Sequence, residues 1–141
     1  MHWVIRVDVE ATPDDLWQVV ADVDHWPEFM ATMRRVERVG GAELGPGALV
    51  RIAQPRMPVL TWRVTDWTPG SFFAWQAASP GVTTTASHAV EARDAGGSTL
   101  TLGIHQTGFG APLAGLLMGR QTRRYVGIEA ESTKRRAEEA R

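Results

Sequence analysis

Between residues 34 and 107 the chain is divided by closely spaced turn punctuation: Gly45-Pro46-Gly47, Pro55 to Pro58, Thr68-Pro69-Gly70, Ser79-Pro80-Gly81 and Asp94 to Gly97. No other feature restricts the fold as strongly. The intervals left over, about 34–40, 48–54, 59–67, 71–78, 82–93 and 98–107, have strand length and alternate apolar with polar residues. Turns this short join only antiparallel neighbours, because parallel strands need a long crossover. The middle of the chain therefore reads as an antiparallel meander.

Both flanks obey related periods. Trp3, Ile5, Val7 and Val9 alternate with Val4, Arg6 and Asp8, the pattern of a half-buried first strand. The period changes at Thr12, a good N-cap followed by Pro13 in the first turn and by Asp14 and Asp15 at the positive end of the helix dipole. Leu16, Val19, Val20 and Val23 then mark one face of a helix of about ten residues. Asp24 and Pro27 bracket a second start, where Trp26, Phe29, Met30 and Met33 suggest a short apolar helix or turn. Gly108-Phe109-Gly110-Ala111-Pro112 ends the strand pattern, and Pro112 opens a helix to about Ala140, roughly 43 Å if fully helical. The expected fold is α+β: a curved antiparallel sheet wrapped around a long C-terminal helix, with two short helices after the first strand. It forms one domain over residues 1–141, with room for a ligand between sheet and helix.

Composition narrows the function classes. With 15 Lys+Arg against 16 Asp+Glu, no net field draws the chain to nucleic acid or to an anionic membrane. The absence of cysteine removes disulfide scaffolds, thiolate-held metals, iron–sulfur clusters and thiol catalysis. His2, His25, His88 and His105 lack the close spacing of strong metal sites, so no metal or other cofactor is expected. No signal peptide is visible in Met1-His2-Trp3-Val4-Ile5-Arg6-Val7, and no apolar run approaches 18 residues, so the expectation is a cytoplasmic protein without integral membrane association. The oligomeric state is left open. Six tryptophans in 141 residues are unusual, and what they surround becomes the main question.

This ordering carries a resemblance through Val9-Glu10-Ala11-Thr12-Pro13-Asp14-Asp15-Leu16-Trp17, Ala21-Asp22-Val23-Asp24-His25-Trp26-Pro27-Glu28-Phe29, Trp62-Arg63-Val64 and Phe73-Ala74-Trp75. Over nearly its whole length the chain resembles the START-like or SRPBCC superfamily, particularly its polyketide cyclase/dehydrase-like members. The resemblance implies a helix-grip fold with a deep hydrophobic cavity that binds lipids, sterols, polyketides or plant hormones, and in some members catalyses cyclisation or dehydration. The stretch from Asp22 to Phe29 is also similar to the ubiquinone-binding and ribosome-associated branch. There, Met30-Ala31-Thr32-Met33 replaces that branch's usual Leu-Pro-x-Cys continuation.

Alternation projects the cavity lining. Leu60, Trp62 and Val64 share one face of their strand, and Phe73, Trp75 and Ala77 share one face of the next. Leu102 and Ile104 project the same way with Gln106 beyond them, and Gln54 continues the Val50, Ile52 face. Trp26, Phe29 and Met30 add an apolar edge. The candidate ligand-binding residues are therefore Trp26, Phe29, Met30, Gln54, Trp62, Phe73, Trp75, Leu102, Ile104 and Gln106. His88 alternates with Ser87 and Ala89 and faces inward with Ala86 and Val90, so it is the candidate general acid or base. No second titratable residue pairs with it in the sequence. Arg120, Arg123, Arg124, Lys134, Arg135 and Arg136 are interleaved with Glu129, Glu131, Glu138 and Glu139 and read as a solvated helix face.

Three functions follow from these residues. The first is a module binding a hydrophobic small molecule of polyketide, lipid or sterol type. The second is a polyketide cyclase/dehydratase-type enzyme working in the same cavity. The third is a ubiquinone-binding role, or protein interaction through Arg34, Arg35 and Arg38 or the basic helix. With no partner for His88, the sequence favours binding over catalysis.

Overall fold

The computed structural model describes every residue except Met1, Ala42 and Arg141. Seven strands form one sheet: β1 (His2–Val9), β2 (Arg35–Arg38), β3 (Leu49–Ala53), β4 (Leu60–Thr68), β5 (Phe72–Ser79), β6 (Val82–Ala92) and β7 (Ser98–Thr107). Their order is β1-β7-β6-β5-β4-β3-β2, with every pair antiparallel. The meander places each strand beside its sequence neighbour. β1 closes onto β7 from the other side, in a register running from His2 opposite His105 to Val9 opposite Ser98. Between β1 and β2 lie α1 (Pro13–Ala21) and a 3₁₀ helix over Val23–Glu28.

Local chemistry fixes the boundaries. Thr12 Oγ1 accepts the Asp15 amide at 3.1 Å, capping α1 where the sequence places its start. Val23, read as the last residue of the helical face, belongs instead to the 3₁₀ helix and is buried there. β2 is shorter than the 34–40 interval because Gly40, at φ +74°, turns the chain away. β4 carries a register shift against β5 between Val64 and Asp66.

The concave face of the sheet is the core. Val50, Ile52, Trp62, Val64, Phe73, Trp75, Val90, Leu100, Leu102 and Ile104 are buried on it, whereas Arg51, Thr61 and Arg63 on the opposite face are exposed. α2 (Ala111–Ala140) lies over that face. Its buried positions are mostly small: Val126, Ala130, Ser132, Thr133 and Ala137. They let the helix approach β1 and β7 closely. At the C-terminal end Lys134 Nζ donates to the Asp8 carbonyl at 2.7 Å, and the Glu138 carboxylate accepts the Glu10 amide at 2.9 Å. Midway along the helix the Tyr125 hydroxyl donates to the Pro55 carbonyl, tying α2 to the β3–β4 loop. No described helix is long and apolar enough to cross a membrane.

The entry to α2 depends on one glycine. Gly108 has φ +107°, and a Cβ there would collide with the Gly81 carbonyl oxygen, an acceptor that also holds the Gly110 amide at 2.9 Å. Backbone cannot move aside as a side-chain tip can. Gly108→Ala should therefore lower the unfolding free energy by about 2 kcal/mol or more in urea titration. Gly45→Ala, where a Cβ meets open space at an ordinary φ, should stay within about 0.5 kcal/mol of the parent.

Candidate functional site

Between α2 and the sheet lies a partly open cavity of about 90 Å³. Trp62 from β4, Trp75 from β5 and Trp26 from the 3₁₀ helix form its aromatic wall. The rings meet in sequence, Trp62 to Trp75 at 5.8 Å and Trp75 to Trp26 at 5.6 Å between centroids. The Trp26 indole N–H is already satisfied by the Val19 carbonyl at 3.2 Å, so this ring is fixed by the protein alone. Ala86, Ile104 and Val126 complete the apolar lining, and Gln54 and Met57 stand on the β3–β4 side. The volume is well below the roughly 300–1,000 Å³ of sites that engulf a drug-sized ligand. The indoles occupy space that the resemblance assigned to a deep cavity, and what remains suits one ring or a short chain.

Polar groups in this cavity are few. Gln106 Nε2 donates to Thr84 Oγ1 at 3.3 Å, while its Oε1 is buried without a partner and stands as an unused acceptor. His88 is 8% exposed and stacked on Phe73, with ring centroids 4.1 Å apart and planes 10° apart. Its Nδ1 lies 3.2 Å from the Phe73 carbonyl. A carbonyl can only accept, so Nδ1 carries the proton and Nε2 keeps its lone pair. Burial pushes the imidazole pKa down to about 4, opposed only by that hydrogen bond, so the ring is neutral at pH 7.

Glu129 is the residue that sequence reading misplaced. It does not join the solvated face of α2; it is largely buried and lines the cavity with His88. Among the described residues its carboxyl has no hydrogen-bond or ion-pair partner, and burial alone pushes its pKa up to about 8. It is therefore predominantly a neutral acid at pH 7. His88 and Glu129 also share a second void of about 10 Å³, near the size of a single water, lined by Met30, Leu102 and Thr133. The helix period held the missing signal, since Glu129 follows Val126 by three residues and Thr122 by seven, on the stripe that faces the sheet.

The other expected site residues divide. Trp26, Gln54, Trp62, Trp75, Ile104 and Gln106 line the larger cavity, and Met30 and Leu102 the smaller void. Phe73 reaches neither: it is fully buried behind them, between Trp17, Trp67 and His88. Phe29 points to the other side of the 3₁₀ helix, where the Arg136 guanidinium stacks 5.1 Å from its ring. Met33, Ile52, Leu60, Thr84, Thr122 and Tyr125 also line the cavity and were not among the candidates.

Comparison with known proteins agrees with this architecture. The family described as polyketide cyclase/dehydrase and lipid transport matches residues 2–138. Curated protein sequences yield no match. Among solved structures, the chain is similar to the Zhui aromatase/cyclase from Streptomyces sp. R1128, at 21% identity and TM-score 0.78, covering 98% of this chain and 93% of that one. It is similar to Ara h 8.0201, at 16% identity and TM-score 0.75, with 97% of each chain covered. Norcoclaurine synthase from Thalictrum flavum, solved with dopamine and hydroxybenzaldehyde, aligns at 14% identity and TM-score 0.74, over all of this chain and 89% of that one. At these identities the likeness is one of fold.

Opposite shifts of two buried groups make stability depend on pH in two ways. His88 is held below its unfolded pKa, so its contribution is lost as pH falls from about 6.5 to about 4. Glu129 is held above its unfolded value, so the native state loses stability as pH rises from about 4.5 to about 8. His25, raised by hydrogen bonding and charge attraction to Asp22 and by Glu28, also loses stabilisation on the alkaline side. The difference between parent and Glu129→Gln isolates the buried acid. Relative to the parent, the variant should gain on the order of 2 kcal/mol between pH 6.5 and pH 8 in urea titrations. A constant difference across that interval would show that Glu129 does not titrate there.

Proposed function

Because the chain belongs to the polyketide cyclase/dehydrase and lipid transport family, we propose that it binds a hydrophobic small molecule with an apolar ring or short chain in the cavity and transfers protons on it through His88 and Glu129. The observation that carries this reading is the neutral acid lining the same cavity as a neutral imidazole with a free lone pair. Paired groups whose environments drive their pKa values apart are the usual signature of an acid and a base. Trp26, Trp62, Trp75 and Ile104 would hold the apolar part, and Gln106 Oε1 would accept a hydrogen bond from a ligand hydroxyl.

The reaction that suits this pair is elimination of water from a β-hydroxycarbonyl group. His88 Nε2 takes the proton from the carbon beside the carbonyl as the double bond forms. Glu129 gives its proton to the departing hydroxyl, which leaves as water. The proton then returns from the imidazolium to the carboxylate through the small void that both residues line. A base with pKa near 4 is weak, so removal of the carbon-bound proton must be concerted with donation by Glu129. Confinement of the reacting chain contributes the rest.

4-Hydroxy-4-phenylbutan-2-one, a β-hydroxy ketone with one ring, tests this reading through the absorbance of its conjugated enone product. The rate should fall as pH rises through about 8, where Glu129 loses its proton, and again below about 4, where His88 gains one. His88→Gln and Glu129→Gln should each cut turnover by roughly 10²- to 10⁴-fold while quenching of tryptophan emission still reports binding. Glu129→Gln should also remove the alkaline limb. Binding with no turnover in any of the three proteins would leave a carrier, the reading in which the cavity only holds its ligand.

A further inference from the structure

We propose that the arginine-lined groove beside the cavity is an anion subsite, which takes a phosphate group on the same ligand whose apolar end enters the cavity. This rests on the cavity reading above and adds the chemical class of the ligand: a phosphate-bearing amphiphile.

The groove is larger than the cavity, about 670 Å³, and runs between the N-terminal half of α2 and the segments around Thr32 and Arg56. Arg34, Arg56, Arg120 and Arg124 line it, and no carboxylate does. Among the described residues none of these four guanidinium groups has an ion-pair or side-chain hydrogen-bond partner, whereas Arg35, Arg38, Arg51, Arg93 and Arg136 each pair with an acid. Residues 111–128 of α2 contain no acidic side chain, so nothing on that half of the helix neutralises Arg120 and Arg124. The interleaving that made this helix read as a solvated face belongs to its other half.

Two buried hydrogen-bonding atoms lie in the same place without partners. Thr32 is 2% exposed and lines the groove, and its hydroxyl finds no acceptor; Gln121 also lines it, with an unpartnered Nε2. Buried donors are normally satisfied, and these two are both donors. Four guanidinium forks with two orphaned donors call for several acceptor oxygens and more than one negative charge, which a phosphate supplies and an uncharged group does not. The buried position of Thr32 favours a small ligand over a bilayer or an acidic protein face, either of which would meet the exposed rim.

The groove and the cavity are neighbours. Tyr125 lines both, and its hydroxyl bond to Pro55 forms the strap between them. Along α2, Gln121, Arg124 and Ile128 face the groove, while Thr122, Val126 and Glu129 face the cavity. The β3–β4 loop divides likewise, sending Gln54 and Met57 to the cavity and Arg56 to the groove. Arg56 holds φ +62°, the one positive value outside glycine among the described residues. A cavity with room for one ring leaves the remainder of a longer ligand outside, and this groove, which shares Tyr125 with the cavity, is neighbouring space that would receive it.

Calorimetric titration with 4-phenylbutyl phosphate, 4-phenylbutanol and inorganic phosphate tests the proposal, with phosphatidylglycerol vesicles as a separate arm. The phosphate ester should bind at least about 10-fold more tightly than the alcohol at low salt, and more tightly than inorganic phosphate. In the Arg120→Gln/Arg124→Gln variant, whose changes lie on the exposed surface, the ratio between ester and alcohol should collapse towards about one. Raised salt should shrink the same ratio in the parent. Equal binding of ester and alcohol would overturn the anion subsite and leave the cavity reading standing. Failure of both phenylbutyl compounds would overturn the cavity reading and this proposal with it. Inorganic phosphate binding as tightly as the ester would make the groove an isolated ion site, and binding to vesicles without binding to the monomeric ester would make it a membrane contact; either result overturns the proposal.

Discussion

The seating of α2 against the concave face of the sheet is the contact on which the remainder of the molecule depends. Towards its C-terminus the helix presents Ala130, Thr133 and Ala137, which allow close approach, and Lys134 and Glu138 lock that end to the backbone of β1 and the residue after it. Midway along its length Thr122, Val126 and Glu129 face Trp62 and Trp75 across the cavity. Close-packed interiors tolerate few voids larger than a water, so a space of about 90 Å³ walled by rigid rings is a distinct feature of this core. The cavity lies where residues midway along α2 face the large indoles of β4 and β5.

Desolvation then sets the chemistry of that space. The same removal from water that holds His88 without charge also keeps Glu129 protonated, since burial disfavours whichever form is ionised. The result is a cavity that is electrically neutral near pH 7 yet contains both a proton donor and a proton acceptor. The groove behind Tyr125 is its electrostatic opposite, with four arginines and no acid. One tyrosine and one loop separate an apolar, uncharged compartment from a strongly positive one.

Sequence and structure meet at the level of elements and part at the level of faces. Turn punctuation and strand alternation gave the meander, the Thr12 cap and the inward direction of Trp62, Trp75, His88 and Gln106, because a period of two assigns each strand residue to one side of the sheet. The same rule placed Phe73 inward, correctly, yet it could not tell that Phe73 would be sealed beneath His88 and Trp17 instead of opening to the cavity. Phe29 failed for a different reason. A 3₁₀ helix turns by a different angle per residue from an α-helix, so residues expected to share one apolar edge were sent to opposite sides.

The strands, the helices, their order and the antiparallel connection were legible in the sequence because each is dictated within a few residues by capping, turns and alternation. The family resemblance rests on the same local text. The positions of Glu129 in the cavity and of the arginines along the groove were decided only by tertiary structure. A charged side chain on a long helix has no fixed environment until the sheet chooses which stripe of that helix to cover. Arg34 and Arg56 lie far in the chain from Arg120 and Arg124, and the four become one surface only when α2 packs beside the β3–β4 loop.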